Sequence, residues 1–125
     1  MRLHVLLTVA SGGRRSVDPI EEAADKIRAA AAAAGVVAQV RIVEGRDLAR
    51  ELRAAACDEA SRVAVGGGDG TVGTAAGVMV ELRRPLGILP LGTFNHFARD
   101  LGIPQDLEAS VADVIRGHIR EVDVA

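Results

Sequence analysis

The sequence has no tryptophan, no tyrosine and two phenylalanines, Phe94 and Phe97. That scarcity argues against a base-stacking platform for single-stranded nucleic acid. Neither sign of charge dominates: 15 basic against 17 acidic residues leave a formal charge of −2, so no polycation for nucleic acid exists. Lysine is nearly missing, with Lys26 alone and remote from any glycine turn. Without a G-K-[ST] sequence the chain has no P-loop, and phosphate binding would fall to backbone amides, hydroxyls and arginine. Cys57 is the single cysteine, which excludes an internal disulfide and a multi-cysteine zinc site. Its alanine-rich helical surroundings predict a buried, inert thiol. No apolar run reaches membrane-spanning length and no signal-peptide pattern precedes the first apolar run, so a cytoplasmic protein is expected, with peripheral membrane contact left open.

What is present fits one domain with a real core: 125 residues, 49% hydrophobic and 26% charged. Arg62 to Thr74, RVAVGGGDGTVGT, organises the chain. Arg62 to Val65 has the β-branched character of a buried parallel strand. Gly66, Gly67 and Gly68 then read as a turn that uses backbone angles closed to other residues and leaves no Cβ between main chain and ligand. Asp69 is the one ionisable group of that turn, and Gly70-Thr71 leads into a helix start that favours an anion. Asp69 has two readings at this point, a helix cap or a carboxylate set beside a bound phosphate.

Around this segment, apolar runs alternate with helical patterns. Leu3–Val9 reads as a central strand, followed by the loop Ser11-Gly12-Gly13 and two cations, Arg14 and Arg15. Asp18 as N-cap, Pro19 at the first helical position and Glu21 predict a helix running through a close-packing alanine face to Gly35. Val36–Val43 is a second strand, and Asp47 caps a helix through about Glu59. Val72–Leu82 is a helix, Pro85–Pro90 a strand, and Leu91 to Asn95 a second glycine turn opening a helical segment before Pro104. Asp106–Arg116 forms a last helix closed by Gly117, and His118–Val124 a fifth strand. The alternation predicts an α/β fold, a three-layer parallel sheet with helices on both faces. Ligands of such sheets sit beyond the carboxyl ends of the strands, where the glycine turns should gather.

Gly68 to Gly73 formally matches G-x-G-x-x-G, but it follows the third strand and lacks the downstream ribose-binding acid of a dinucleotide fold. The combination of GGGDGTV and the later LGILPLGTFNHFARDLGIP resembles the nucleotide-binding domain of the diacylglycerol kinase family, which includes sphingosine kinase-like and bacterial lipid kinases. More distantly, the GGDG turn is similar to that of NAD kinases and phosphofructokinases. The resemblance spans nearly the whole chain, from the SGG turn to Val122-Asp123.

It implies an ATP-binding domain of a lipid kinase that transfers the γ-phosphate of ATP to a lipid hydroxyl, with Mg2+ as cofactor. Ser11, Gly12, Gly13, Gly66, Gly67, Gly68, Asp69, Gly70 and Thr71 would surround the nucleotide, with Thr8 ahead of the first turn and Gly92, Thr93 and Asn95 completing the site. Asp69 would be catalytic or part of an aspartate–water–magnesium network that Asp123 joins. The resemblance also implies a second, β-rich lipid-binding domain after the V-D strand, beyond Ala125. Three positions depart from the family pattern: Thr8-Val9 stands for Asn-Pro, Gly73-Thr74 for Asn-Glu, and His96 for aspartate. These departures keep open a second reading, a non-catalytic nucleotide-binding or regulatory module of the same fold. His4 and His96 read as structural or solvated.

Overall fold

The continuous apolar run near the N-terminus becomes a strand with neighbours on both edges. The structure, a computed structural model, describes residues 2–8, 17–91 and 107–117. Its elements are β1 (Arg2–Thr8), α1 (Val17–Ala33), β2 (Val37–Val43), a 3-10 turn (Gly45–Asp47), α2 (Leu48–Ala56), β3 (Ser61–Gly67), α3 (Asp69–Leu82), β4 (Gly87–Pro90) and α4 (Leu107–Arg116). The strands pair in parallel in the order β2-β1-β3-β4.

Strand alternation sorts side chains between two cores. Leu3, Val5 and Leu7 of β1, with Ala64 and Leu89, pack against α1 and α4. Leu6, Val63 and Val65 face the other way, into Leu48, Leu52 and Ala55 of α2 and Ala75, Val78 and Met79 of α3. The predicted three-layer arrangement is therefore present, two described helices on each face. Each fully buried leucine or valine contributes about 1.5–3 kcal/mol relative to exposure, so these two clusters carry the fold.

Helix ends differ from the sequence expectations in instructive ways. α1 begins at Val17, so Asp18 lies inside the helix instead of capping it, and Pro19 falls in the first turn, where a missing N–H breaks no ladder bond. Its buried stripe is Ile20, Ala24, Ile27 and Ala31; of the six-alanine run only Ala31 is fully buried, so the run is a packing face at one position and a solvated one elsewhere. Its C-terminus closes as predicted: Gly35 is left-handed (φ 75), and Val36 N–H reaches Ala31 C=O at 2.9 Å. Gly117 ends α4 with φ 74. Arg83 takes the same left-handed position after α3 (φ 54), unusual for a residue with a Cβ.

Asp47 stands at the predicted cap of α2 in a helical conformation (φ −98, ψ −6) with no side-chain cap bond, and its carboxylate pairs with Arg50. α2 stops at Ala56, short of Glu59, because Asp58 forms a turn of its own: its carbonyl accepts Ser61 N–H at 3.0 Å and its carboxylate accepts Ala60 N–H at 3.2 Å. Cys57 corrects another expectation. It is exposed, one position past the buried Leu52, Ala55 and Ala56 of α2, and its thiol donates to Arg53 C=O.

Polar side chains tie the amino ends of the strands to helix ends. His4 and Arg2 meet the Asp58 carboxylate at 3.3 and 3.1 Å. The His4 hydrogen bond, aided by the Arg2 charge, holds the Asp58 carboxyl below its ordinary value. His4 is thus structural, as expected. Arg62 donates to the carbonyls of Val114 and Ile115 at the C-terminus of α4, and Arg84 to those of Ala56 and Ser61. Both guanidinium groups thus bind backbone carbonyls at a helix end or a strand start, where acceptors outnumber ladder donors.

Candidate functional site

In the sheet order, β1 connects outward to β2 on one side and the chain returns to β3 on the other. The switch point lies between β1 and β3, and their carboxyl ends end in register: Leu7 is opposite Gly66, and Gly67 is opposite Pro90 of β4. A crevice outside this point is where open parallel sheets place ligands.

The glycine segment is built differently from the expected turn. Gly66 and Gly67 are the last residues of β3, Gly68 is the N-cap of α3 with φ −80 and ψ −176, and Asp69 already begins the helix, three residues before the predicted Val72. None of the three glycines uses a left-handed angle; positive φ among described glycines belongs to Gly35 and Gly117. What β3 requires is the missing Cβ. A Cβ at Gly67 would lie 2.5 Å from Thr8 Oγ1 and 2.8 Å from Thr71 Oγ1. At Gly66 it would strike Leu7 and Leu91, on the opposite face, as strand alternation demands. Above Gly68 and Gly70, by contrast, a Cβ would meet none of the described residues within 4 Å.

Over Gly67 the hydroxyls of Thr8 and Thr71 hydrogen-bond at 2.6 Å, joining the end of β1 to the first turn of α3 across 63 residues of sequence. Thr8 is 8% exposed and Thr71 half-buried. The first ladder bond of α3 runs from Val72 N–H to Gly68 C=O at 3.1 Å, so earlier N–H groups point past the helix start, its partially positive end. Asp69 is exposed at the first helical position; it is not the cap, because Gly68 occupies that place. Gly73 and Thr74 are exposed further along α3.

The structure therefore brings together Thr8, Gly66, Gly67, Gly68, Asp69, Gly70 and Thr71. Ser11, Gly12, Gly13, Gly92, Thr93, Asn95 and Asp123 lie outside the described residues, as do all of the expected second glycine turn but Leu91, the helical segment expected after it and the expected fifth strand. The chain ends that lead toward the other two turns, Thr8 of β1 and Pro90 of β4, flank the end of β3. Sequence reasoning named Thr8 and Thr71 separately; no local signal pairs residues so far apart. Among the described residues no three of His, Cys, Asp and Glu stand together as a metal site, and no helix is long and apolar enough to cross a membrane.

An anion-favouring helix start at the switch point of a parallel three-layer sheet defines a class of α/β ligand-binding domain. Comparison with known proteins narrows it. The diacylglycerol kinase catalytic domain family matches residues 2–125, and the chain belongs to that family. It is 42% identical over 96 residues to a probable lipid kinase, YegS-like, of Enterobacter sp. (strain 638), covering 73% of this chain and 32% of that protein. It is 37% identical over 128 residues to the probable lipid kinase YegS-like of Yersinia pestis (strain Pestoides F), covering 98% of this chain and 41% of that protein. A diacylglycerol kinase structure from Bacillus anthracis str. Sterne shares the fold, with TM-score 0.65 at 22% identity over 94% of this chain and 44% of that one. The chain thus spans well under half the length of the relatives it matches.

Proposed function

We propose that this chain is the nucleotide-binding domain of a lipid kinase that transfers the γ-phosphate of ATP to a lipid hydroxyl. The observation that carries the proposal is the joining of Thr8, Gly67 and Thr71 at the switch point, beside the open surface over Gly68 and Gly70 and the exposed Asp69. Membership of the catalytic-domain family supports a kinase over the non-catalytic module.

On this reading the N-terminus of α3 and the backbone of Gly68 and Gly70 hold nucleotide phosphates, and the Thr71 hydroxyl donates to one of them. Ser11, Gly12 and Gly13 approach from beyond β1, and Gly92, Thr93 and Asn95 from beyond β4. The lipid oxygen attacks the γ-phosphorus, the bond to the departing ADP breaks, and the lipid's hydroxyl proton passes to the Asp69 carboxylate. Mg2+ supplies charge neutralisation across the phosphates when bound. One carboxylate in the glycine segment suits an ion carried largely by phosphates and water, and does not suit a cage of protein ligands. Asp123 is a further candidate for contact with that ion through water. The lipid is bound by a second, β-rich domain beyond Ala125, and the complete enzyme works in the cytoplasm with peripheral membrane contact.

The test is transfer of labelled γ-phosphate from ATP to a panel of lipid hydroxyl acceptors by the full-length protein and its Asp69→Asn variant. Wild type is expected to label lipid. Asp69→Asn should remain folded, since a carboxylate at a helix start is worth only about 0.3–1 kcal/mol there. Its turnover should fall by about 10² to 10⁴. Wild-type turnover in a folded Asp69→Asn protein would remove Asp69 from the chemistry, and a wild type that labels no lipid would remove the kinase reading.

A further inference from the structure

Within the site residues, Thr8 has a role distinct from the others. It is more than nine-tenths buried, so it has almost no surface to offer a ligand. Its hydroxyl nevertheless sits 2.6 Å from that of Thr71, the half-buried residue of the pair. We infer that Thr8 is a positioning residue: it donates its hydroxyl proton to Thr71 Oγ1 and thereby aims the Thr71 proton outward, toward a phosphate oxygen of the nucleotide. The inference rests on the nucleotide-binding reading above and deepens it.

Burial and the end of α3 support the direction of this relay. A buried hydroxyl proton without an acceptor is costly, and among the described residues the Thr71 oxygen is the acceptor within reach of Thr8. If Thr71 were the donor instead, the Thr8 proton would be the one left in the buried position. With Thr8 donating, the free proton belongs to the more exposed hydroxyl, on the first turn of α3, where the helix end already favours an anion. Gly67 makes the arrangement possible, since any Cβ there would occupy the space in which the two oxygens meet. A threonine hydroxyl otherwise rotates among staggered positions, so fixing it before the ligand arrives removes an orientational cost from binding.

The consequence is a coupling between residues on different elements that should appear in phosphate binding and be absent in its nucleoside counterpart. The experiment uses the full-length protein as wild type, Thr8→Ala, Thr8→Ser, Thr71→Ala and the double alanine variant. Dissociation constants for ADP and for adenosine are measured by calorimetry, with melting temperatures alongside. Thr8→Ala is expected to weaken ADP roughly three- to tenfold, the worth of one oriented hydrogen bond, and Thr8→Ser to restore it. The double variant should bind ADP within about twofold of Thr71→Ala alone, because Thr8 acts through Thr71. Adenosine, which has no phosphate, should bind all five proteins alike. Thr8→Val, whose methyl also abolishes the hydroxyl pair, is the second variant should the alanine unfold the strand end, and it should show the same ADP loss.

The failures separate cleanly. ADP affinity unchanged in Thr8→Ala but reduced in Thr71→Ala overturns the relay and leaves the nucleotide reading standing. Additive losses in the double variant, or equal losses for ADP and adenosine, also overturn the relay, making Thr8 an independent or purely structural residue. Unchanged affinity in Thr71→Ala overturns it as well, since there is then no phosphate contact to position. A wild type that binds no ADP sinks the nucleotide reading itself.

Discussion

Replacing Gly67 with alanine adds one methyl group at the most crowded point of the site. The new Cβ would lie 2.5 Å from Thr8 Oγ1 and 2.8 Å from Thr71 Oγ1, closer than carbon and oxygen tolerate. Neither neighbour is the far end of a long side chain, and both hang on β1 and α3, which are anchored in the core. Relief requires rotating a threonine out of its pair or shifting α3 away from β1. Overpacking of this kind costs about 1–3 kcal/mol, and the broken hydroxyl pair adds about 0.5–1.5 kcal/mol, so roughly 2–4 kcal/mol is expected. With an unfolding entropy of about 2.1 cal/mol/K per residue, a chain of 125 residues loses roughly 4 °C per kcal/mol. Differential scanning calorimetry should therefore show Gly67→Ala melting about 8–16 °C below wild type. Gly68→Ala is the internal control: its Cβ meets nothing within 4 Å and its φ of −80 suits alanine. Alanine is a poorer N-cap than glycine, but it also restricts the unfolded chain, so the net change should stay within about 1 kcal/mol. Equal melting temperatures for Gly67→Ala and wild type, or an equal drop in both variants, would refute the claim that the hydroxyl pair requires a glycine beneath it.

Two further predictions concern the parts that hold the fold. The Asp58 carboxyl, held below its ordinary value of 3.8 by the His4 hydrogen bond and then by Arg2, stabilises the folded state above the unfolded pKa; the benefit is lost as pH falls through the lower folded pKa, so urea titrations should find Asp58→Asn less stable than wild type near neutrality, with the gap closing below pH 3.8. Arg83 holds a left-handed angle that disfavours a Cβ, so Arg83→Gly should gain up to about 1 kcal/mol in spite of glycine's greater freedom when unfolded, and a loss of stability by the same titration would show that its side chain matters more than its backbone.

Local chemistry made much of the fold legible. Gly35 and Gly117 end their helices with the left-handed angle expected of them, because a helix terminus is decided within a few residues. Apolar runs alternating with helical patterns implied the parallel layers, since the buried face of each element repeats along its own sequence. Caps at helix starts were less legible. Asp18 and Asp47 have the right chemistry for the cap position, but α1 already begins at Val17, and Asp47, though it stands at the cap of α2, makes no side-chain cap bond. Gly66 and Gly67 looked like turn residues because glycine marks both turns and close approaches. Their reason is tertiary: side chains from β1, α3 and the residue after β4 fill the space over them. The exposure of Cys57 likewise follows from the face α2 buries, since the stripe of Leu48, Leu52, Ala55 and Ala56 does not include the next residue.

The two edges of the sheet divide the molecule's tasks. At the amino edge, charged side chains close on acceptors: Arg2 and His4 on Asp58, Arg62 on the end of α4, Arg84 on the end of α2 and the start of β3. Each contact fixes where a helix returns to the sheet, and with it the angle at which the next strand leaves. At the carboxyl edge the residues are small: Gly66 and Gly67 admit neighbouring side chains, while Gly68 and Gly70 leave open surface. A helix start can hold an anion closely only if nothing bulky stands over it, and such a start has few contacts of its own to keep it in place. The Thr8–Thr71 bond answers that difficulty, because it fastens the first turn of α3 to β1 from beneath and keeps the fastening off the outer surface of Gly68 and Gly70. The same pair of hydroxyls thus lies where the rigidity of the sheet is handed to the site. That is why a change at Gly67 is expected to reach both stability and binding, while changes at the amino edge reach stability alone.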